Sequence, residues 1–236
     1  MERISIDGFE FLKNSIGKAN IFFSTAKDNI NFNIREREGI NNILKIKKLF
    51  GLKDIGFLNQ IHSNIIHIYD ENRHDGDSII TDRKKTAVGV FTADCVPIII
   101  YDKDQEIISA VHSGWKGTLG GIVMNTITKM HQEYGSNSEN LIVYIGPHIK
   151  ECCYEIGDDV ADLFTNNEMY SSINPIINSR LNLEKCILEQ LRLIGIPKHN
   201  INTLNCCTFC DENIQLHSYR KLKNSAGRMF SFIYLD

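Results

Sequence analysis

Three short apolar runs, residues 87–91, 98–101 and 107–111, follow one another along the middle of the chain, most of the breaks being charged or Gly/Asp turns. Runs of about four to eight apolar residues bounded by turn signals read as strands. The centre of the chain is therefore committed to a sheet. Chemistry-bearing residues stand at the ends of these runs. Thr92-Ala93-Asp94-Cys95-Val96-Pro97 links the first two, and Val111-His112-Ser113-Gly114-Trp115-Lys116-Gly117 closes the third. A thiol and an imidazole placed this way are expected to project into one site at a sheet edge. Upstream, Gln60-Ile61-His62 offers a third ligand.

Around this centre, strand and helix patterns alternate. Residues 21–23, 55–58, 65–69, 78–81, 141–145 and 230–235 are further strand candidates. Residues 39–52 carry Ile40, Ile43, Leu44, Ile46, Leu49 and Phe50 at helical spacing and stop near Gly51. Residues 121–134, 158–164 and 183–194 also read as helices, the last stopped by Gly195 and Pro197. No Pro-, Gly- or Ser-rich linker interrupts the pattern, so a single α/β domain spanning residues 1–236 is expected.

A hydrophobic content of 42% supplies a sizeable core, and a net charge of −3 gives no reason to expect nucleic acid as a main partner. The N-terminal residues lack the apolar stretch of a signal peptide, and no run of about 18 apolar residues appears. A cytoplasmic protein without a membrane partner is expected. Its seven cysteines then read as reduced thiols or ligands.

His62, Cys95 and His112 form a set that suits Zn²⁺ or copper, and three protein ligands leave a coordination position for water or substrate. The plainer alternative is that Cys95 is a small buried hydrophobe and His112 a hydrogen-bonded core imidazole.

Five ordered segments decide between these readings. Gln60-Ile61-His62, Thr92 to Pro97, His112 to Gly117, Gly146-Pro147-His148-Ile149 with Tyr154-Glu155-Ile156-Gly157, and Ser218-Tyr219-Arg220 with Gly227-Arg228-Met229 resemble the laccase-domain family. That family is also called multicopper polyphenol oxidase or purine nucleoside phosphorylase. The resemblance spans most of the chain. It implies a layered sandwich of mixed β-sheets flanked by helices, and one zinc held by His62, Cys95 and His112. It further implies phosphorolysis of adenosine, inosine, guanosine or S-methyl-5'-thioadenosine, together with adenosine deamination. The small-molecule partners would be a purine nucleoside and phosphate, and the assembly a monomer or homodimer.

Asp94, Cys95 and His112 are the catalytic candidates. Arg220 and Arg228, eight residues apart across a Lys/Asn/Ser turn, are expected to meet across a hairpin and hold phosphate through bidentate guanidinium geometry. Lys27 and Lys116 are further phosphate candidates. Asp77, which opens residues 78–81, reads either as a substrate contact or as a turn or cap residue; an Asp beside a metal also orients ligands. The run Gly114, Gly117, Gly120, Gly121 offers backbone N–H groups at a helix start, although its spacing is neither a Walker A nor a Rossmann fingerprint. Trp115 reads as core. Cys206-Cys207-Thr208-Phe209-Cys210 contains a C-x-x-C, but Cys152-Cys153 is an adjacent pair, so a Cys₄ site would be irregular and these thiols read as buried or incidental.

The chain departs from the family pattern in three places. It lacks the Gly-Gly loop before residues 30–34, shows Asn42-Ile43 where an Asn-Arg pair is common, and reads Ser218-Tyr219-Arg220-Lys221 where a second Arg is common. These put the substrate, more than the metal, in question. Two other functions fit the same family: a copper-dependent polyphenol oxidase, which eight histidines without an H-x-H pair disfavour, and a peptidoglycan-precursor editing factor.

Overall fold

A computed structural model describes residues 1–236. The chain begins with β1 (Glu2–Ile6), β2 (Phe9–Ile16), β3 (Ala19–Ser24) and α1 (Arg37–Leu49). β4 (Asp54–Gly56), β5 (Ile66–Ile68), β6 (Ser78–Thr81), β7 (Thr86–Thr92), β8 (Val96–Asp102) and β9 (Ile107–Ser113) follow. After α2 (Trp115–Leu119) and α3 (Ile122–Tyr134) come β10 (Leu141–Ile145), α4 (Asp158–Thr165), the two-residue strands β11 (Ile176–Ile177) and β12 (Arg180–Leu181), and α5 (Leu183–Leu193). β13 (Ile201–Thr203), α6 (Tyr219–Leu222) and β14 (Met229–Leu235) complete it.

The main strands form two six-stranded sheets, ordered β1-β2-β3-β14-β7-β4 and β13-β10-β8-β9-β6-β5. Both are mixed: most neighbours are antiparallel, while β4 with β7, β5 with β6 and β10 with β13 run parallel. The unbroken apolar runs follow from where these strands lie. Successive side chains of a strand point to opposite faces. Ile98 and Ile100 of β8 join Ile122, Val123, Ile127 and Ile187 under α3 and α5, while Ile99 and Tyr101 face Ile21, Val88 and Ile233 of the other sheet. A strand covered on both faces has no solvent side that favours polar residues. On the outer face of the first sheet a phenylalanine-rich layer, including Phe11, Phe22, Phe230 and Phe232, packs under Ile43 and Ile46 of α1. The molecule is thus the layered sandwich of mixed sheets flanked by helices that the resemblance implies, and no helix is long and apolar enough to cross a membrane.

Two expectations change. Residues 2–16, where Glu10 and Lys13 break the apolar pattern and no element is expected from sequence, form the hairpin β1–β2. Glu10 is nonetheless buried, accepting bonds from Arg3 and Thr25. In α1 the buried stripe is narrower than its apolar residues suggest: Ile40 and Leu44 are exposed, and Gly39 and Asn42 face inward instead. Gly39 is required there, since a Cβ would lie 2.1 Å from the Asn33 carbonyl oxygen.

α5 carries an ion pair with a pH signature. Arg192 donates to both carboxylate oxygens of buried Glu189 at 2.8 and 2.7 Å, and Ser172 Oγ donates to it at 2.6 Å. The Arg192 bond, outweighing burial, holds the Glu189 pKa down at about 2. A carboxyl whose folded pKa lies below its unfolded value stabilises the fold above the unfolded pKa, and that contribution fades as the pH falls toward the folded one. Glu189→Gln is expected to cost no more than about 1 kcal/mol at neutral pH. Thermal melts of variant and wild type should converge as the pH falls from about 4.5 to about 2; a constant difference across that window would contradict the ion-pair account.

Candidate active site

β7 lies in one sheet and β8 in the other, so residues 93–95 cross between the layers at one edge of the sandwich. The β8–β9 register sets Val96 opposite Ser113 and Pro97 opposite His112, which brings Cys95 beside His112. A loop supplies the third residue. Gln60 Nε2 donates to the Phe91 carbonyl at 2.8 Å and its Oε1 accepts from the Phe91 N–H at 2.7 Å, so the amide pins the loop to β7 as a neighbouring strand would. His62 follows at a positive φ of 60°. Its ring lies 4.9 Å from that of His112 at an interplanar angle of 83°. One donor atom from each of His62, Cys95 and His112 falls within 4.8 Å of the others. Gly114 closes against them: a Cβ there would sit 3.1 Å from both Cys95 Sγ and His62 Cδ2.

Asp77 organises this cluster from beneath. It is fully buried, and its Oδ1 lies 2.8 Å from His112 Nδ1. The backbone N–H of His62 donates to Oδ1 at 3.1 Å, while the Ser63 N–H and hydroxyl donate to Oδ2 at 2.6 and 2.7 Å. With both oxygens engaged inside the fold, Asp77 holds the His62 loop and the His112 ring together. Fixing the proton on Nδ1 leaves His112 Nε2 as the donor atom, the carboxylate–histidine arrangement typical of metal sites. Burial alone would raise the Asp77 pKa, but the His112 bond and charge and the Ser63 donors hold it down at about 2.

Electrostatics favour a ligand-ready cluster. Burial alone would raise the Cys95 pKa, yet the neighbouring His112 and His62 pull it down to about 6. Burial would lower that of His112, yet the Cys95 sulfur and Asp77 raise it to about 9. A thiolate and an imidazolium sharing a proton are groups whose proton a divalent cation displaces.

Asp94 also turns out to be a tether. At φ 90° its carboxylate accepts the Thr208 hydroxyl at 2.6 Å through Oδ1 and the Arg220 backbone N–H at 2.6 Å through Oδ2. Thr208 and Tyr154 therefore belong to this site, although sequence reading noted them only as parts of shared segments. The Arg220 guanidinium carbon lies 5.3 Å from the Tyr154 ring centre, with no hydrogen bond from the guanidinium to the protein. The expected hairpin between the arginines is not formed. Ser218 Oγ accepts the Lys221 N–H at 3.3 Å and starts α6, so Arg220 stands on a helical turn and Arg228 just before β14. Arg228 Nη1 donates to the Ala226 and Gly227 carbonyls at 2.8 and 2.9 Å, and its guanidinium lies 6.0 Å from the Tyr219 ring centre. Lys27 approaches Glu10, and Lys116 lies over Trp115, which packs at the edge of the core as expected. The glycine run is not an open loop, because α2 forms within it.

Residues 24–236 match the family described as multi-copper polyphenol oxidoreductase laccase. A purine nucleoside phosphorylase of Clostridium acetobutylicum is 46% identical over 230 residues, covering 97% of each chain. An adenosine deaminase from an unknown prokaryotic organism is 30% identical over 165 residues, covering 67% of this chain and 62% of that one. The crystal structure of a Bacillus licheniformis hypothetical protein, YfiH, superposes with a TM-score of 0.83 at 27% identity, covering 92% of this chain and 93% of that one.

Proposed function

The chain belongs to the multi-copper polyphenol oxidoreductase laccase family, and on that premise we propose that it is a zinc-dependent purine nucleoside phosphorylase with adenosine deaminase activity. Its substrates would be adenosine, inosine, guanosine and S-methyl-5'-thioadenosine, and residues 1–236 would act as one metalloenzyme domain. The observation that carries this reading is the convergence of His62, Cys95 and His112 within 4.8 Å, with Asp77 fixing the His112 ring. Two imidazoles and a thiolate suit zinc, and three protein ligands leave a position open.

When bound, zinc supplies Lewis acidity at that open position. The chain's own residues account for the rest. Asp77 keeps the His112 proton on Nδ1. Arg220, whose guanidinium carries no protein partner and rests against Tyr154, is the group proposed to hold phosphate. Asp94 fixes the Arg220 backbone and Thr208, so its contribution is positional. Phosphorolysis needs a phosphate oxygen delivered to the ribose C1′ while the C1′–N9 electrons pass into the purine and a proton neutralises the departing base. Deamination needs water at C6 of adenine and departure of ammonia. Arg228, already donating to two carbonyls, is the secondary anion contact.

The multicopper reading finds less support in the residues. Of the eight histidines, only His62 and His112 join a cluster of three or more candidate ligands, whereas several coppers demand many imidazoles. The test is the product pattern from adenosine with and without phosphate, resolved by chromatography. Adenine formed only with phosphate supports phosphorolysis, and inosine formed without it supports deamination. Neither product from zinc-loaded protein would overturn the nucleoside reading and make muropeptide precursors the next substrates to try.

A further inference from the structure

The four thiols read from sequence as incidental come together. Cys152 and Cys153, on the turn after the Gly146-Pro147 segment, meet Cys207 and Cys210, which follow β13, and their sulfurs all lie within 4.8 Å of one another. Cys152 Sγ is 3.8 Å from Cys207 Sγ and 3.7 Å from Cys210 Sγ. Disulfide sulfurs are about 2.05 Å apart, so these cysteines are unpaired thiols. Four sulfurs at about 2.3 Å from a tetrahedral zinc are about 3.8 Å from each other. We propose that Cys152, Cys153, Cys207 and Cys210 hold a second, structural zinc ion, separate from the His62/Cys95/His112 cluster.

The surroundings are those of a thiolate site. The backbone N–H of Lys150 donates to Cys207 Sγ at 3.5 Å, so the first sulfur of the C-x-x-C turn already accepts a hydrogen bond. A divalent cation binds such thiols by replacing their protons. Both strands of the turn are already in register: His148 N–H donates to the Cys206 carbonyl at 3.4 Å and Thr208 N–H to the His148 carbonyl at 3.1 Å. An ion reaches the thiols through a surface depression of about 590 Å³ lined by Lys150, Glu184, Cys152, Cys207 and Cys210.

The ion would staple one wall of the active site. Cys207 precedes Thr208, which bonds Asp94, and Cys153 precedes Tyr154, which backs Arg220. From sequence the second pair is set aside because adjacent cysteines do not match the C-x-x-C spacing; the parallel pairing of β10 with β13 and the His148–Cys207 bridge that continues it bring the two pairs together.

Metal analysis of protein purified with zinc and dialysed into metal-free buffer tests this. Wild type is expected to hold two zinc ions per chain. Cys153→Ser and Cys210→Ser should each retain one, with a melting temperature lower by about 5 °C or more. His112→Ala should also retain one, and its Co²⁺-substituted form should show the thiolate-to-metal charge-transfer bands of a tetrahedral all-sulfur site. That spectrum is the check that does not depend on the Cys variants folding. Unchanged zinc in the Cys variants, a Co²⁺-loaded His112→Ala protein without those bands, or a native disulfide among these cysteines would each overturn the proposal. If the Cys variants lose one ion and His112→Ala loses none, the Cys₄ site stands and the assignment of His112 as a ligand fails.

Discussion

His112→Ala is expected to lower purine nucleoside turnover by at least about 10³-fold, equivalent to about 4 kcal/mol of barrier. The expectation rests on geometry. His112 is 3% exposed, stands opposite Pro97 one pair from the end of the β8–β9 ladder, and is the member of the cluster whose orientation is fixed by a buried carboxylate. Removing its ring takes away a ligand that His62 and Cys95 do not replace, and it leaves Asp77 buried without its main partner. Steady-state kinetics with adenosine and phosphate, paired with zinc content, checks both consequences. Turnover within about tenfold of wild type would contradict a mechanism that depends on this cluster.

The second large effect is expected at Asp77, a fully buried residue behind the cluster. Asp77→Asn keeps the volume but turns one acceptor into a donor, in a position where the His112 Nδ1–H and the N–H groups of His62 and Ser63 converge. One donor then faces another in a fully buried setting, which costs about 1–3 kcal/mol of stability. The freed imidazole no longer has a fixed proton on Nδ1. Zinc affinity and kcat should each fall by about 10- to 100-fold. The Michaelis constant for the nucleoside should change far less, since Asp77 makes no contact with the open face. Chelator competition, thermal melts and kinetics on the one variant separate these effects. A raised Michaelis constant with unaltered zinc affinity would instead make Asp77 a substrate contact.

The sequence was most legible where covered strands leave no polar face. Residues 78–81 and 141–145 coincide with β6 and β10, and the runs at 87–91, 98–101 and 107–111 each lie inside a slightly longer strand. The candidate ligands were legible because a motif preserves local spacing while the β8–β9 register carries Cys95 to His112. What failed was whatever depended on contacts distant in sequence. For Asp77 the sequence leaves a turn residue, a substrate contact and a ligand-orienting carboxylate side by side, and its bond to His112 becomes visible only when β6 is seen beside β9, where Ser78 stands opposite Val111. The arginines read as a hairpin because the turn between them looks like one. The signal that corrects this was present: Ser218 is a helix-capping residue, and its hydroxyl accepts the Lys221 N–H. Glu10 hid a strand because its burial depends on Arg3 of β1 and on Thr25 just after β3.

The most direct test is to measure phosphate-dependent release of adenine from adenosine as zinc is returned to metal-stripped protein. The account predicts negligible turnover without metal and activity that tracks occupancy of the His62/Cys95/His112 cluster, with His112→Ala inactive at every zinc concentration. Full activity in the stripped protein, or equal recovery in His112→Ala, would contradict it.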